Sequence, residues 1–590
     1  MDILKLEIIR HGTAHVLAAA VLEMFPRAKF GVGPAVENGF YYDFELDKPL
    51  TATDLSKIEA KMRGIIEKNL PFEKIEISRD EAIKMFEQYK QDYKLELLRE
   101  GTKGEDGKME KMGEVVTIYK TGKFTDLCRG PHVSSTKELG IFKLTAVAGA
   151  YWRGDEKRPM LQRVYGVAFL KQSELDEYLK MIEEAEKRDH RKLGKDLELF
   201  MISEEVGKGL PLWLPNGAFI RRKLEDYMYE KELGRNYKYV YTPVLTHKKL
   251  YETSGHLAHY HEDMYSPIDI EGEEYYLKPM NCPHHHMIYK NKTLSYRDLP
   301  LRLAEFGLCH RFERSGVLTG LIRARCFTQN DAHIYCAKED LKKELLGVLD
   351  LFQKVYKDFG IKNYWYRLSL PDFNNKEKYG DVEDKETWTK AGKAIEEALK
   401  EFGVKYVVGA GEATFYGPKI DVQIKNVLGK EDSIATAQVD FYSAGKFNLE
   451  FTNQKGQKEK PVIIHRAIMG SFERFFAFLV EQTAGAFPTW LAPVQVDIIP
   501  VGKRHVKPSF KLAKILEKEG LRVHVDDFNE TVGYKIRKAE KQKAPYMLVI
   551  GDKEMSGKNL NVRVRGKQKT VAMTVKKFVE KIKKEIEKRK

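Results

Sequence analysis

Residues 303–336 read LAEFGLCHRFERSGVLTGLIRARCFTQNDAHIYC, and this segment concentrates more polar and charged chemistry than any other in the chain. Its pattern predicts a strand over 303–312, a glycine-punctuated loop over 314–320 and a second strand that returns beside the first. The returning strand contains the polar residues Gln329, Asp331 and His333. So much polar chemistry in one short hairpin indicates a ligand site.

Four arginines lie on or beside this hairpin: Arg311, Arg314, Arg323 and Arg325. A planar guanidinium can bind two phosphate oxygens at once, so arginines that converge on a strand pair predict a polyphosphate site. A solvated basic hairpin is the alternative. Glu313 favours the polyphosphate site, because alternate residues of a strand share a face and would place it beside Arg311.

The step Arg311-Phe312-Glu313 resembles motif 2 of the class II aminoacyl-tRNA synthetases. In that family the arginine contacts a phosphate, and the glutamate accepts a hydrogen bond from the adenine amino group. The stretch VIIHRAIMGSFERFFAFLVEQ, 462–482, is similar to motif 3 of the same family. There a predicted strand breaks at Gly470 and becomes a helix that carries Glu473 and Arg474, and the arginine of motif 3 holds ATP.

A third resemblance concerns motif 1, through which class II enzymes form dimers. It covers the predicted helix Ile220–Leu233 and the predicted strand YVYTPVL, 239–245, with Pro243. The three motifs stand in the family's order. They imply an antiparallel-sheet catalytic core, ATP with Mg²⁺, and a C₂ homodimer.

Length and composition agree with a large enzyme. At 590 residues the chain can form roughly three to five domains. No apolar run reaches the ~18 residues of a membrane span, and the start, MDILKLEIIRHGTAH, lacks the regions of a signal peptide. Only five cysteines in so long a chain indicate a reducing cytoplasm. A net charge of +14 suits a polyanionic partner, although abundant lysine also serves solubility.

Residues 1–170 are predicted to form a separate α/β domain. The helical segment HGTAHVLAAAVLEMF places His11 and His15 on one face, and FTDLCRGPHV contains Cys128 and His132. These four residues could bind zinc, and histidines hydrogen-bonded to local partners are the alternative.

The segments HGTAH, GPAVENGFYYDFE and DLCRGPH resemble the editing domain of bacterial-type threonyl-tRNA synthetases. The resemblance implies a pocket that hydrolyses Ser-tRNA(Thr), and it implies that this pocket works without metal, with zinc as the alternative. A covalent nucleophile at Cys128 is a further alternative. The implied editing residues are His11, His15, Tyr42, Asp126, Cys128 and His132.

A linker helix is predicted within residues 171–194. The helix Ser173–Leu193 begins with a capping-box pattern, Ser173 followed by Asp176, and its apolar residues recur at helical spacing.

The predicted catalytic domain, 195–491, raises a metal question. Cys282, His333 and His465 lie on separate elements that an antiparallel class II sheet would bring together. Three protein ligands leave one position open, as a catalytic zinc site requires. In threonyl-tRNA synthetases the matching residues bind one Zn²⁺ per subunit, which contacts the amino group and hydroxyl of threonine. By residue type alone, other ligands compete: His284, His285, His286, Cys309 and Cys336.

Such a zinc would explain amino-acid specificity. Valine lacks the hydroxyl, so a site built around that group rejects it by ~10⁴-fold or more. Serine keeps the hydroxyl and lacks only a methyl group, which is worth ~1–3 kcal/mol. The resemblance therefore implies a second, hydrolytic pocket for serine, which the N-terminal domain supplies.

Family roles carry over by matched position. The implied ATP-binding residues are Arg311, Glu313, Arg323, Lys419 and Arg474. The implied threonine-binding residues are Met280, Gln329, Asp331, Tyr416, Gln438 and Ser471. Phe312, Asn330 and Cys326 stand where relatives commonly have Asn, Asp and Gly.

The C-terminal part, 492–590, alternates strands and helices, including a strand at 494–500 and helices from Ser509 and Val532. This alternation predicts an α/β domain with a mostly parallel sheet. It resembles the anticodon-binding domain of the class IIa synthetases, which implies that exposed base edges are read by Asn529, Glu554 and Arg563. The Lys-rich final helix is predicted to be a solvated face or an RNA contact.

Together these resemblances imply a ligase that joins L-threonine to tRNA(Thr) and lacks the ubiquitin-like domain that precedes the editing domain in many relatives. A prolyl or histidyl class IIa enzyme is an alternative, but it gives no reason for the Cys282, His333 and His465 set. An RNA-binding regulator without catalysis and a metallohydrolase built on His11 and His15 are the alternatives from other classes.

Overall fold

The computed structural model describes residues 2–103, 109–379, 385–414, 416–557 and 559–589. The chain divides into two compact units, Met1–Ile182 and Glu183–Lys590. Both mix helices with largely antiparallel sheets, as predicted. Within the described residues, no helix is both long enough and apolar enough to span a bilayer.

The first unit is an α/β domain built around one buried helix. Its elements are α1 (Asp2–Met24), β1 (Lys29–Phe30), β2 (Ala35–Val36), β3 (Gly39–Glu45), α2 (Ala52–Glu67), β4 (Glu73–Ser78), α3 (Arg79–Gln88), α4 (Asp92–Glu100), β5 (Thr102–Lys103), β6 (Met109–Glu110), β7 (Val115–Thr121), β8 (Phe124–Leu127), β9 (Ile141–Tyr151) and β10 (Met160–Phe169). The second half of helix α1 is buried all round, since every residue from Ala14 to Val21 is buried. It packs against β3 and β10 of one sheet and against β8 of another, next to the predicted editing residues.

The predicted linker helix is two helices, α5 (Gln172–Arg188) and α6 (His190–Asp196). Helix α5 begins one residue before Ser173, so the predicted cap is wrong. The carboxylate of Glu174 instead accepts hydrogen bonds from the backbone nitrogens of Leu170 and Lys171, each at 3.2 Å. The break comes at Asp189, whose carboxylate caps α6 by accepting from Arg191 N at 2.7 Å.

The second unit contains the large sheet that carries the hairpin. After α6 come β11 (Phe200–Ile202), β12 (Pro211–Trp213), α7 (Pro215–Leu233), β13 (Lys238–Tyr239), β14 (Leu245–His247), α8 (Lys248–Ser254), α9 (His256–His259), β15 (Ile268–Ile270), β16 (Glu273–Leu277), α10 (Cys282–Lys290), β17 (Leu294–Ser295), β18 (Leu301–His310), β19 (Cys326–Cys336), α11 (Leu341–Asp358), β20 (Tyr364–Leu370), α12 (Lys376–Tyr379), α13 (Lys385–Phe402), β21 (Tyr406–Ala410), β22 (Lys419–Lys425), β23 (Glu431–Asp440), α14 (Ser443–Lys446), β24 (Phe451–Thr452), β25 (Lys458–Glu459), β26 (Val462–Ser471) and α15 (Phe472–Thr483).

The main sheet has the order β13-β18-β19-β26-β23-β22-β20-β21 and is antiparallel except at its two edges. Its register places His333 of β19 opposite His465 of β26, and His465 opposite Gln438 of β23. A row of polar side chains therefore crosses the sheet. Its helices α11, α13 and α15 contribute to one large apolar core with the sheet.

Two predicted boundaries shift. The first strand ends at His310 rather than at residue 312, so Arg311 and Glu313 lie beyond it. The helix of motif 1 begins at Pro215, five residues before Ile220, because proline suits the first helical position.

The predicted strand 239–245 is broken. Pro243 has no N–H to donate, and the backbone nitrogen of Thr242 donates to the Glu305 carboxylate at 2.7 Å instead of to a strand. Only Lys238–Tyr239 joins the main sheet, while Leu245–His247 pairs with β16.

The C-terminal part has a mixed sheet in place of the predicted mostly parallel one. Its elements are β27 (Val496–Pro500), α16 (Lys503–Lys518), β28 (Val523–Val525), α17 (Val532–Lys541), β29 (Tyr546–Ile550), α18 (Asp552–Ser556), β30 (Leu560–Val564), β31 (Val571–Met573) and α19 (Val575–Glu587). The order is β28-β27-β29-β30-β31; β27 pairs in parallel with β28 and β29, and the other pairs are antiparallel. Helix α16 begins at Lys503, because buried His505 and Ser509 share its packed face with Ala513.

A buried polar network ties α7 to the centre of the main sheet. Glu232 is fully buried and pairs with Arg466 of β26, with Nη1 2.7 Å from Oε1. It also accepts hydrogen bonds from Asn330 Nδ2, at 2.9 Å, and from the hydroxyl of Tyr239. Glu232→Ala is expected to lower the free energy of unfolding by about 3–5 kcal/mol, because it leaves a buried guanidinium without its counter-charge.

This prediction is measured by urea unfolding of the second unit. Asp226→Ala is the matched control on the same helix. Asp226 pairs with Arg222 at 2.8 Å on the exposed surface, so its loss is expected to change stability by less than ~0.5 kcal/mol. Equal effects of the two substitutions would contradict the prediction.

Candidate active sites

The hairpin and β26 enclose a cationic cavity of about 260 Å³. All five predicted ATP residues line it: Arg311, Glu313, Arg323, Lys419 and Arg474. Although Arg311 and Glu313 lie beyond β18, the pairing continues for one residue, since Arg311 N donates to Arg325 O at 3.0 Å. The cavity can therefore hold a polyphosphate, with acidic Glu313 beside Arg323.

Contacts inside this cavity fix the arginines. Arg323 Nε donates to Glu313 Oε2 at 2.8 Å, and Arg474 Nε donates to the carbonyl of Ile322 at 3.3 Å. Lys419 Nζ lies 2.7 Å from Asp421 Oδ2, a carboxylate that the sequence analysis missed. The K-I-D spacing on one strand could have indicated this pair, because alternate residues share a face.

A second cavity, of about 200 Å³, adjoins the first. It is lined by the three predicted metal ligands and by Met280, Gln329, Asp331, Tyr416 and Gln438 of the predicted threonine set. Ser471, the remaining member, instead lines the cationic cavity and caps α15, where its hydroxyl accepts from Arg474 N at 3.1 Å. Five residues line both cavities: Arg311, Gln329, Thr436, Gln438 and Ala467.

Cys282, His333 and His465 present ligand atoms that all lie within 4.8 Å of one another. His333 Nδ1 is 2.8 Å from His285 Nδ1, and His465 Nε2 is 2.8 Å from Asp440 Oδ2. These contacts direct the other nitrogen of each ring to the shared point, as partners behind metal-bound histidines do. Burial, and then the charge of Asp331, raises the pKa of the Cys282 thiol well above its usual range, so a bound cation would be needed to hold the thiolate.

The competing ligands have other partners. His284 Nε2 contacts Thr246 at 2.7 Å, and His286 Nδ1 contacts the Tyr335 hydroxyl at 2.9 Å. His286 also belongs to a second set within 4.8 Å, with Asp440 and His465. In that set the Asp440 carboxylate already accepts from His465 and from two backbone N–H groups, so the set with Cys282 fits a metal better.

His285 was named only as a competing ligand, but it connects the site to a buried carboxylate. Its Nε2 lies 3.1 Å from Glu305 Oε2, and Glu305 also accepts from Thr242 N and lies 3.6 Å from Lys278 Nζ. The contact from His333 through His285 to Glu305 fixes the ring of His333. Alternation on β18 and β19 cannot indicate this relay, because His285 comes from helix α10.

The first unit brings all six predicted editing residues together. Asp126 Oδ2 accepts from the Tyr42 hydroxyl at 2.6 Å and lies 3.4 Å from His15 Nε2. Cys128 Sγ lies 3.3 Å from Nε2 of both His11 and His132. A cavity of about 510 Å³ opens on His11, His15, Asp126 and Cys128.

Lys94 lies among the predicted editing residues, and the sequence analysis did not name it. It is buried on α4, with Nζ 2.5 Å from Asp126 Oδ1 and 3.1 Å from the Tyr42 hydroxyl, and it lines the same cavity. An isolated lysine in an ordinary helix carries no local signal of burial. In the structure, Lys94 and Asp126 form a buried ion pair close to the imidazoles of His11, His15 and His132.

The pKa values of the site bear on whether Cys128 can act as a nucleophile. Burial, and then the charge of Asp126, raises the pKa of the Cys128 thiol to about 12. Burial likewise lowers the pKa of His132 to about 2, which keeps that ring neutral. The thiol is then almost fully protonated at neutral pH, which argues against a covalent mechanism.

We therefore expect Cys128 to react with iodoacetamide at pH 8 at least about 100-fold more slowly than a free cysteine. Peptide mass spectrometry after timed alkylation measures this rate. Glutathione in the same tube is the matched control. Labelling of Cys128 at the rate of glutathione would indicate a reactive thiolate and restore the nucleophile hypothesis.

The predicted anticodon residues only partly come together. Asn529 follows β28 and Glu554 lies on α18 after β29, so both stand at the carboxyl edge of the parallel strands. Glu554 Oε1 accepts from Asn561 Nδ2 at 2.6 Å, and Asn561 was not predicted. Arg563 lies farther along β30, opposite Met547.

Comparison with known families matches three segments of the chain. The tRNA synthetase class II core domain (G, H, P, S and T) matches residues 265–483, and an anticodon binding domain matches residues 495–585. The threonyl and alanyl tRNA synthetase second additional domain matches residues 116–165. Along the chain, the editing-type match comes first, the catalytic match second and the anticodon-binding match third, which is the predicted order.

Relatives with high identity extend over nearly the whole length. The chain is 50% identical over 582 residues to threonine–tRNA ligase of Geobacillus sp. (strain WCH70), which covers 98% of this chain and 89% of the relative. It is 51% identical over 577 residues to threonine–tRNA ligase 1 of Bacillus subtilis (strain 168), covering 98% and 88%. A crystal structure titled as the RNA binding domain of threonyl-tRNA synthetase from Cryptosporidium parvum Iowa II superposes with a TM-score of 0.63 at 36% identity, covering 67% of this chain and 98% of that one. The chain therefore belongs to the threonine–tRNA ligase family, the threonyl-tRNA synthetases, and has its class II core, anticodon-binding domain and editing-type domain.

Proposed function

We propose that this enzyme joins L-threonine to tRNA(Thr) in two steps, through threonyl-adenylate, and hydrolyses mischarged Ser-tRNA(Thr) in its first unit. One observation carries the synthetic activity. The cationic cavity and the cavity at Cys282, His333 and His465 share lining residues, among them Arg311 and Gln329. An amino acid in one cavity would thus lie next to a nucleotide in the other, and in this proposal its carboxylate faces the α-phosphate.

In the first step the threonine carboxylate attacks the α-phosphate of ATP, and pyrophosphate leaves. Arg311, Arg323 and Arg474 balance the phosphate charge, and Glu313 accepts from the adenine amino group. Mg²⁺ accompanies ATP. Positioning and charge stabilisation supply the rate, so the protein needs no nucleophile of its own. In the second step the threonyl group passes to the terminal ribose of the tRNA.

Cys282, His333 and His465 would hold Zn²⁺, which would act as a Lewis acid toward the amino group and hydroxyl of threonine. The chain's own residues orient the ligands: His285 and Glu305 fix the ring of His333, and Asp440 fixes that of His465. Asp331 lines the cavity, and its carboxylate can accept a hydrogen bond from the amino group or the hydroxyl of threonine. Valine lacks the hydroxyl and is rejected by ~10⁴-fold or more.

Serine fits this pocket too well, because one methyl group is worth only ~1–3 kcal/mol. The first unit offers the second pocket. Asp126, held by Tyr42 and Lys94, orients His15, while neutral His11 and His132 flank Cys128. These groups can position a water molecule and the serine ester for hydrolysis without a metal.

The remaining proposals concern organisation. Residues 1–170 form the editing domain, 171–194 the linker, 195–491 the catalytic domain and 492–590 the anticodon-binding domain. Asn529, Glu554 and Arg563 read anticodon bases. The enzyme is a cytoplasmic homodimer formed through motif 1, and a monomeric mass in light scattering at micromolar concentration would contradict the dimer.

The experiment that tests the function is ATP–pyrophosphate exchange with threonine, serine, valine and proline in turn. Threonine should drive exchange strongly, serine more weakly and valine at least ~10³-fold less efficiently. Exchange with proline alone would place the specificity in a sister family. Absence of exchange with every amino acid would contradict the catalytic proposal.

A further inference from the structure

His190 does not line the cavities described above, but it contacts two segments that carry residues of the cationic cavity, the hairpin loop and helix α15. It is the first residue of α6, and only 1% of it is exposed. Its Nδ1 lies 2.7 Å from Glu481 Oε1 on α15, and its Nε2 lies 3.2 Å from the backbone nitrogen of Leu321. Leu321 lines the cavity, and α15 also carries Arg474, so one imidazole bridges the two elements.

These contacts determine the tautomer of His190. A backbone N–H can only donate, so Nε2 must be the unprotonated acceptor for Leu321 N. The ring hydrogen then sits on Nδ1 and is donated to the Glu481 carboxylate. Asp189, His190 and Glu481 also form a set of potential metal ligands within 4.8 Å, but hydrogen bonding already uses both nitrogens of this ring.

The residue before Leu321 is a glycine, which leaves room for the imidazole of His190. Gly320 has a φ of +49°, and a Cβ at that position would lie 2.3 Å from His190 Nε2. Any other residue would push the imidazole away from Leu321, so the close approach requires glycine. The loop and His190 are thus fitted to each other.

The two residues after Leu321 are held by ATP-site residues. The carbonyl of Ile322 accepts from Arg474 Nε at 3.3 Å, and Arg323 Nε donates to Glu313 Oε2 at 2.8 Å. Leu321, Ile322 and Arg323, three consecutive residues of the loop that leads into β19, are therefore each anchored by one side chain, and we call them the returning arm. Among these anchors only His190 comes from outside motifs 2 and 3.

We propose that His190 is a positioning residue of the ATP site. Its hydrogen bond with Leu321 fixes the position of the returning arm, so that Arg323 and Arg474 are placed to contact the nucleotide phosphates. Glu481 keeps the His190 ring in the tautomer whose Nε2 accepts a hydrogen bond. The inference rests on the proposed function of the cationic cavity. It does not involve the cavity at Cys282, so ATP binding and threonine binding should respond differently.

Two substitutions separate this role from simple packing. His190→Asn keeps an N–H donor near Nδ1 and removes the acceptor for Leu321, whereas His190→Gln places an amide oxygen near the position of Nε2. His190→Asn is expected to raise the KM for ATP about 10-fold in ATP–pyrophosphate exchange, because one hydrogen bond to the arm is lost. The KM for threonine should stay within about twofold. His190→Gln should recover at least half of the loss in ATP KM on a logarithmic scale.

His505→Asn is the matched control, because His505 is also a buried helical histidine, 3.0 Å from a carboxylate oxygen of Asp552. It lies in the C-terminal part and should leave the KM for ATP unchanged. If His190→Asn does not fold, Glu481→Gln keeps the ring, withdraws the charge that fixes its tautomer, and should raise the KM for ATP by about threefold.

An unchanged ATP KM in the folded His190→Asn or Glu481→Gln enzyme would overturn the inference, as would equal rises in the KM values for ATP and threonine. Normal exchange by the unsubstituted enzyme in those experiments would leave the proposed function standing. Absence of exchange by the unsubstituted enzyme would instead overturn the proposed function and, with it, the inference.

Discussion

Replacing Cys282 by alanine is expected to remove the bound zinc and to lower threonine-dependent ATP–pyrophosphate exchange by about 10³-fold or more. Cys282 supplies the thiolate of the ligand set, and a pair of imidazoles alone binds the ion far more weakly. The KM for ATP should stay within about threefold, because Cys282 does not line the cationic cavity. Elemental mass spectrometry of the purified enzyme measures the metal, and exchange kinetics measure the activity.

Cys309→Ala is the control for this substitution. Cys309 is fully buried and its thiol contacts Asn281 Oδ1 at 3.6 Å, so its loss removes a core thiol without touching the ligand set. This variant should keep its zinc. Retention of zinc and of threonine exchange by Cys282→Ala would show that the ligand set is wrong. It would favour the second candidate metal set, His286, Asp440 and His465.

Asp126→Asn is expected to slow hydrolysis of Ser-tRNA(Thr) by about 10²- to 10³-fold. The substitution keeps the shape of the side chain but removes the charge that balances buried Lys94 and orients His15. Threonine activation should be unchanged, because Asp126 belongs to the first compact unit and the cationic cavity to the second. Deacylation of preformed Ser-tRNA(Thr), run beside pyrophosphate exchange, measures both rates.

Asp43→Asn tests whether any buried aspartate of the first unit gives the same result. Asp43 is buried and accepts two hydrogen bonds from Arg163, at 2.6 and 2.9 Å, and Arg163 is not one of the predicted editing residues. It should lower the stability of the unit while the folded enzyme retains hydrolysis. A similar loss of hydrolysis in both variants would mean that Asp126 acts only through folding.

The residues that could be predicted from sequence fall in short segments with their own chemistry. Arg311, Glu313 and Arg323 stand within one hairpin, and Arg474 follows a strand-to-helix break at Gly470, so their convergence needed only local structure and a family resemblance. The set of Cys282, His333 and His465 needed the sheet register as well. That register came from the resemblance, because spacing alone could not exclude the neighbouring histidines.

The residues that were missed depend on contacts between distant segments. Lys94 is an unremarked lysine of α4 until the fold buries it against Asp126, and His190 becomes informative only where Gly320 meets it. The broken strand at 239–245 depends on Glu305, a carboxylate from another strand that accepts from Thr242 N. The prediction of a mostly parallel C-terminal sheet was an avoidable error. The connection from β30 to β31 is short and contains Gly566, which indicates a hairpin and so an antiparallel pair; in the structure Gly566 has a φ of +74°.

The wall between the cationic cavity and the metal-ligand cavity is made of residues that face both. Gln329 and Gln438, for example, line each of them. Two weakly bound fragments, one in each cavity, would therefore lie close enough to be joined by a short linker. Joining them converts the second binding event into an intramolecular one at a high effective concentration. An inhibitor of this enzyme can therefore consist of two weakly binding halves, and its selectivity can come from the half that occupies the cavity at Cys282, His333 and His465.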